Sequence, residues 1–82
     1  MKTIYTKENS IRLSAFFSIL RNKEKYTFCI LDIFDKVVKE KTAAEIEETL
    51  KDIDLNIIEL RFENDRIYMY LENYKSVINE YF

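Results

Sequence analysis

The sequence predicts a small α+β domain of two β-hairpin-plus-helix units, ββαββα, whose antiparallel sheet is packed by two helices, with an extra N-terminal edge strand. Three observations point there. Ile58, Leu60 and Phe62 alternate with Glu59 and Arg61 before a polar "ENDR" and a second aromatic-rich run, the pattern of a hairpin. Ile46, Leu50 and Ile53 recur at helical spacing upstream of it. Sliding the chain by forty residues pairs 15–40 with 55–80, setting "IFDKVVKE" against "NYKSVINE"; 19 of these 26 pairs share apolar or polar character, so the first half is expected to repeat the second. With 82 residues, the chain is read as one domain, 1–82.

In chain order, "TIYT" reads as the edge strand. Residues 10–20 then form a strand on whose face Ile11, Leu13, Ala15, Phe17 and Ile19 alternate, "RNKEK" supplies the turn, and "YTFCILDIF" returns. A helix follows through "FDKVVKEK" into "TAAEIEETLKDID", since Val38, Thr42, Ile46 and Leu50 share one stripe, although Thr42 with Glu45 three residues later can also open a separate helix. In the second hairpin Asn64 and Asp65 take the turn conformations that glycine would otherwise supply. "YKSVINEYF" closes the chain as a short helix with Tyr74, Val77, Ile78 and Tyr81 on one face.

Two features work against this layout. The apolar parity of the first strand is opposite to that of Ile58, Leu60 and Phe62, so the halves cannot superimpose side chain for side chain without a bulge; the pseudo-repeat then reads as two units that share a pattern because they share physics, with duplication as the alternative. Leu13, Phe16, Phe17 and Leu20 also suit a helix, as do Ile30, Phe34, Val37 and Val38. That alternative, αααββα, has an element order that resembles a winged-helix domain.

Composition removes most catalytic designs. The chain has no glycine, so it holds no P-loop, dinucleotide fingerprint or nucleophile elbow, each of which needs backbone conformations or close approaches that a side chain forbids. It has no histidine, which removes imidazole bases and zinc ligands, and its single Cys29 sits in an apolar run where a buried thiol is expected. Neither a cofactor nor a metal is expected. Asp52, Asp54, Glu59 and Arg61 are the nearest approach to a magnesium nuclease, but an arginine stands where a lysine would orient water. No apolar run reaches membrane-spanning length and the N-terminus lacks a secretory pattern, so a cytoplasmic protein is expected, without membrane contact.

Charge is unevenly distributed. Residues 1–26 carry six Lys/Arg and two Glu, residues 27–54 four Lys and eight Asp/Glu, and residues 55–82 three Arg/Lys and five Asp/Glu. The basic front, with Arg12, Arg21, Lys23 and Lys25 beside Phe16 and Tyr26, offers a nucleic-acid grip from a basic hairpin, or simply a solvated turn that discourages edge pairing. The acidic helix offers Glu45, Glu48, Asp52 and Asp54 to a basic partner surface, against the plainer role of a solvated helix face. Tyr70, Tyr74, Tyr81 and Phe82 crowd the C-terminal end, more aromatic surface than one hairpin and helix hide, and a homodimer through that end is expected.

Lys, Ile, Asn, Tyr and Phe make up 38 of the 82 residues, the bias of an AT-rich coding sequence such as that of a low-GC microbe or its virus. Together these features give a non-catalytic protein-binding module as the functional expectation. Its mode would be that of a phage- or mobile-element-encoded inhibitor, blocking a host defence protein through the acidic helix or the aromatic end. A nucleic-acid-binding regulatory domain is the alternative.

Overall fold

A computed structural model of the chain describes residues 2–5, 11–50, 53 and 55–82, with the side chains of 2–5 left aside. In order it contains β1 (Lys2–Tyr5), β2 (Ile11–Arg12), α1 (Leu13–Ile19), a 3₁₀ turn (Lys23–Lys25), β3 (Thr27–Leu31), β4 (Val37–Thr42), α2 (Ala43–Leu50), β5 (Asn56–Glu63), β6 (Arg66–Leu71) and α3 (Tyr74–Tyr81). The strands form one sheet in the order β1-β5-β6-β3-β4, and the short β2 also pairs with β5. Its radius of gyration, 11.4 Å, matches the roughly 12 Å expected of one domain this long.

The α+β class holds, and from β3 onward the order is ββαββα, with β1 at a sheet edge as the sequence suggested. The first hairpin, however, is displaced. Residues 13–19 form α1 rather than a strand, because Leu13, Phe16 and Phe17 are buried whereas Ala15 and Ile19, which an inward strand face would need, are exposed. "RNKEK" accordingly holds a 3₁₀ turn leading from helix to strand. The hairpin turn lies instead at 32–36, where Asp32 Oδ1 accepts hydrogen bonds from the backbone N–H of Phe34 (2.8 Å) and of Lys36 (2.9 Å) and Asp35 takes φ 62°. An aspartate turn of this kind bends the chain without glycine.

"FDKVVKEK" is therefore turn and strand, not the start of the following helix, and the αααββα order fails at the same place. Helix α2 begins at its own cap: Glu45 N donates to Thr42 Oγ1 (3.2 Å) and Thr42 N donates to Glu45 Oε1 (2.9 Å). That reciprocal pair satisfies two N–H groups left free at a helix start and fixes where the helix can begin. The sheet is mixed rather than antiparallel, since β3 runs parallel to β6. A forty-residue shift sets α1 against β5 and β4 against α3, so "IFDKVVKE" and "NYKSVINE" occupy different secondary structures.

One face of the sheet carries the core. Phe28 and Ile30 of β3, Ile57 and Leu60 of β5, and Ile67, Met69 and Leu71 of β6 pack with Leu13, Phe16 and Phe17 of α1, Ile46 and Leu50 of α2, and Val77 of α3. Side chains alternate across a strand, and the register pairs Cys29 with Tyr68 and Arg61 with Tyr68 on the other face. Arg66, Glu59 and Glu40 belong to that second face, where Cys29 and Leu31 are nevertheless buried.

Candidate functional site

The groove between α2 and the end of α3 joins two surfaces that the sequence treated separately. Lys41, Ala44, Glu45, Glu48, Thr49, Tyr81 and Phe82 line a volume of about 400 Å³. Glu45 and Glu48 come from the outward side of α2, and Tyr81 and Phe82 from the last turn of α3 and the residue after it. Both helices are amphipathic, and docking their apolar residues (Ile46 and Leu50 on α2, Val77 on α3) on the same sheet face places these remaining side chains side by side.

Lys41 shows which chemistry the groove accommodates. Its ammonium lies 3.8 Å from Glu45 Oε2 and 5.7 Å from the centroid of the Phe82 ring. A carboxylate and an aromatic face around one cation are the elements of lysine and arginine recognition. The Thr42 backbone N–H, with its hydroxyl and the nearby Lys41, holds the Glu45 carboxyl below the usual range, so it stays charged in moderately acidic solution. Asp52 and Asp54, also expected on this acidic surface, lie outside the described residues.

The remaining aromatic candidates sit elsewhere. Tyr70 and Tyr74 are half-buried and pack on each other with centroids 5.8 Å apart, at the opposite end of α3 from Tyr81. The basic candidates do not share a hairpin: Arg12 is on β2, Arg21 follows α1, and Lys23 and Lys25 bound the 3₁₀ turn. Lys23 is engaged with Glu47 at 2.8 Å and lies over the Phe17 ring at 5.7 Å, while Lys25 sits over Tyr26 at 5.4 Å. Arg61, considered as a nuclease residue, is bound to Asp35 at 2.7 Å. Among the described residues no group of three or more acidic or cysteine side chains is placed to hold a metal ion, and no helix is long and apolar enough to cross a membrane.

Two surfaces escaped the sequence reading. The β3–β4 turn exposes Ile33 and Phe34, next to partly exposed Val37 and Val38 on β4. The spacing of Asp32, Asp35 and Lys36 was the signal for a turn there, hidden by helical spacing in the same stretch. The second is a cleft of about 250 Å³ between α1 and α2, with Leu13, Phe17, Ile46 and Leu50 as its apolar lining. Comparisons with protein-family models, with curated proteins and with solved structures return no match.

Proposed function

We propose that the chain is a non-catalytic protein-binding module that holds a basic segment of its partner in the α2–α3 groove. The observation that supports this is the convergence of Glu45 and Glu48 with Tyr81 and Phe82, where Lys41 already makes an ion pair and a cation–π contact. A lysine or arginine from a partner entering beside Lys41 would meet the Glu45 carboxylate and an aromatic wall that excludes water from the contact. The groove offers shape and charge. Function then follows from occupying a surface, and an inhibitor that covers a basic site on a host protein, as a virus or mobile element would encode, is the mode this chemistry suits.

The test is capture of a partner from lysate on the immobilised chain, followed by the same capture with Glu45→Gln combined with Glu48→Lys, and separately with Tyr81→Ala. Capture should fall at least about tenfold with the charge variant and weaken with added salt. Capture that is the same for all variants removes the groove from the mechanism. Binding of DNA or RNA at low salt by the chain, lost on Arg21→Ala and Lys25→Ala, would favour the nucleic-acid alternative instead.

A further inference from the structure

The carboxylate of Glu45 is divided between two tasks. Its Oε1 accepts the Thr42 N–H at 2.9 Å as part of the α2 cap, whereas Oε2 faces Lys41 Nζ at 3.8 Å, beyond the roughly 3.2 Å reach of an ordinary N–H···O hydrogen bond. A carboxylate oxygen has lone pairs for two donors, so Oε2 faces the groove with acceptor capacity that the resident ammonium does not fill. The cap fixes where it stands, because the reciprocal bond from Glu45 N to Thr42 Oγ1 (3.2 Å) holds both residues to one turn of backbone.

The aromatic side of the groove is under-filled in the same way. Lys41 Nζ lies 5.7 Å from the Phe82 centroid, near the roughly 6 Å limit of cation–π attraction. Phe82 packs on the core and Tyr81 beside it is 41% exposed, so one ring is held in place and the other is open to an incoming group. Lys41 is tethered by its own strand: it stands in β4 next to the capping Thr42 and opposite Phe28 of β3, and its ammonium reaches a point between carboxylate and ring at which neither contact is close. A guanidinium has a different shape. Being planar, with N–H donors in its plane, it can lie flat on a ring and donate to Oε2 in the same pose, and it is more weakly hydrated than an ammonium.

We propose that Lys41 is a stand-in ligand, a cation of the chain's own that occupies the α2–α3 groove loosely and gives way to an arginine side chain of the partner. This rests on the reading of the groove as the partner site, narrows its ligand from a basic segment to an arginine, and makes Lys41 the residue that sets how tightly that arginine binds. Displacement is easy, because a partly exposed pair of this kind contributes little to the folded chain. Lys41 then holds affinity down twice, by competing for Oε2 and Phe82 and by repelling the incoming charge.

Titration of the full chain with a capped Ala-Arg-Ala peptide and its Ala-Lys-Ala counterpart, followed by NMR at Tyr81 and Phe82 up to about 20 mM peptide, tests this, since even weak binding registers there. The wild type should hold the arginine peptide at least about threefold more tightly than the lysine one. Lys41→Met, which keeps the stem and removes the charge, should tighten the arginine peptide about fivefold, and Lys41→Arg, which supplies the better ligand within the chain, should weaken it about as much. Lys41→Gln serves as a second neutral variant, and unchanged circular dichroism and melting will show that the fold survives. Arginine binding that is equal in wild type, Lys41→Met and Lys41→Arg overturns the stand-in role while leaving the groove as a partner site. Equal binding of the two peptides overturns the choice of arginine. If neither peptide moves Tyr81 or Phe82 in any variant, the proposal and the groove reading beneath it fall together.

Discussion

Arg61 on β5 reaches Asp35 in the β3–β4 turn, with 2.7 Å between the guanidinium and Asp35 Oδ1, and so ties the turn back across the neighbouring β6. Arg61 Nε also lies 3.1 Å from Glu59 Oε1, but it is not aligned there as a hydrogen bond, so Asp35 makes the better contact. The Asp35 side chain is 64% exposed, and water screens the pair. Asp35→Asn should therefore cost no more than about 1 kcal/mol. Asp35→Ala should cost about 1 kcal/mol beyond that, because alanine lacks the short polar side chain that lets aspartate and asparagine occupy a positive φ. Urea unfolding of the two variants separates the terms, and equal losses would mean that the backbone conformation of Asp35 contributes nothing.

Without glycine, the chain places Asn22, Asp35, Asn64 and Asn73 at the left-handed positions found among the described residues, φ 53° to 62°. Short polar side chains tolerate that region best among the residues with a Cβ. Asn73 is the most informative, since its carbonyl accepts the hydrogen bond from Val77 N (3.1 Å) that opens α3. Asn73→Ala should lose about 1 kcal/mol, whereas Asn73→Gly should be nearly neutral, its easier φ offset by the greater freedom of an unfolded glycine. A thermal melt compares them directly, and a glycine variant as unstable as the alanine one contradicts the assignment.

The same residues explain how far the fold was legible in the sequence. The β5–β6 hairpin and the helix α3 were readable because pattern and turn agreed there, whereas at Thr42 the cap and the apolar stripe disagreed. In "LSAFFSIL" two patterns compete: Leu13, Ala15, Phe17 and Ile19 keep period two while Leu13, Phe16, Phe17 and Leu20 keep period 3.6. Only packing decides, and it buries Phe16 while leaving Ile19 63% exposed. Val38 shares a helical stripe with Thr42, Ile46 and Leu50, but the Thr42–Glu45 cap forbids continuity across position 42. Of the candidate site, each wall was legible and their adjacency was not, because it follows from two helices docking on one sheet face, a relation between segments thirty residues apart.

Cys29 yields a third expectation. It is fully buried, its sulfur accepting from Arg66 at 3.4 Å and facing Glu40 Oε1 at 3.8 Å, while Arg66 and Glu40 are themselves paired. Burial pushes the thiol above its ordinary range, opposed in part by Arg66. A maleimide should label it slowly at neutral pH and quickly in urea, since the thiolate reacts and the native chain neither exposes nor forms it. The unfolded chain releases this proton at lower pH than the folded one, so its contribution to stability is present below about pH 8.5 and is lost as pH rises through the higher folded value. Cys29→Ala should remove that part of the alkaline loss, and native labelling as fast as denatured labelling would contradict the burial.

The Thr42–Glu45 cap predicts the acid side. The Thr42 backbone N–H donates to the Glu45 carboxylate and lowers its pKa, with the Thr42 hydroxyl and Lys41 adding to the effect. On acidification the unfolded chain protonates this group first, near pH 4.3. The stability it contributes is therefore complete above that value and disappears as pH falls through the lower folded one. Glu45→Gln keeps a hydrogen-bond acceptor without the charge, so it should flatten the acid limb of the stability curve while changing neutral stability little. Thr42→Ala should instead lower stability at every pH by about 1 kcal/mol, the usual effect of losing an N-cap. Urea midpoints measured between about pH 3 and 7 distinguish the two. If Glu45→Gln leaves the acid limb unchanged, the cap carboxylate is not what the chain loses in acid, and the Lys41 contact in the groove would have to be reassigned with it.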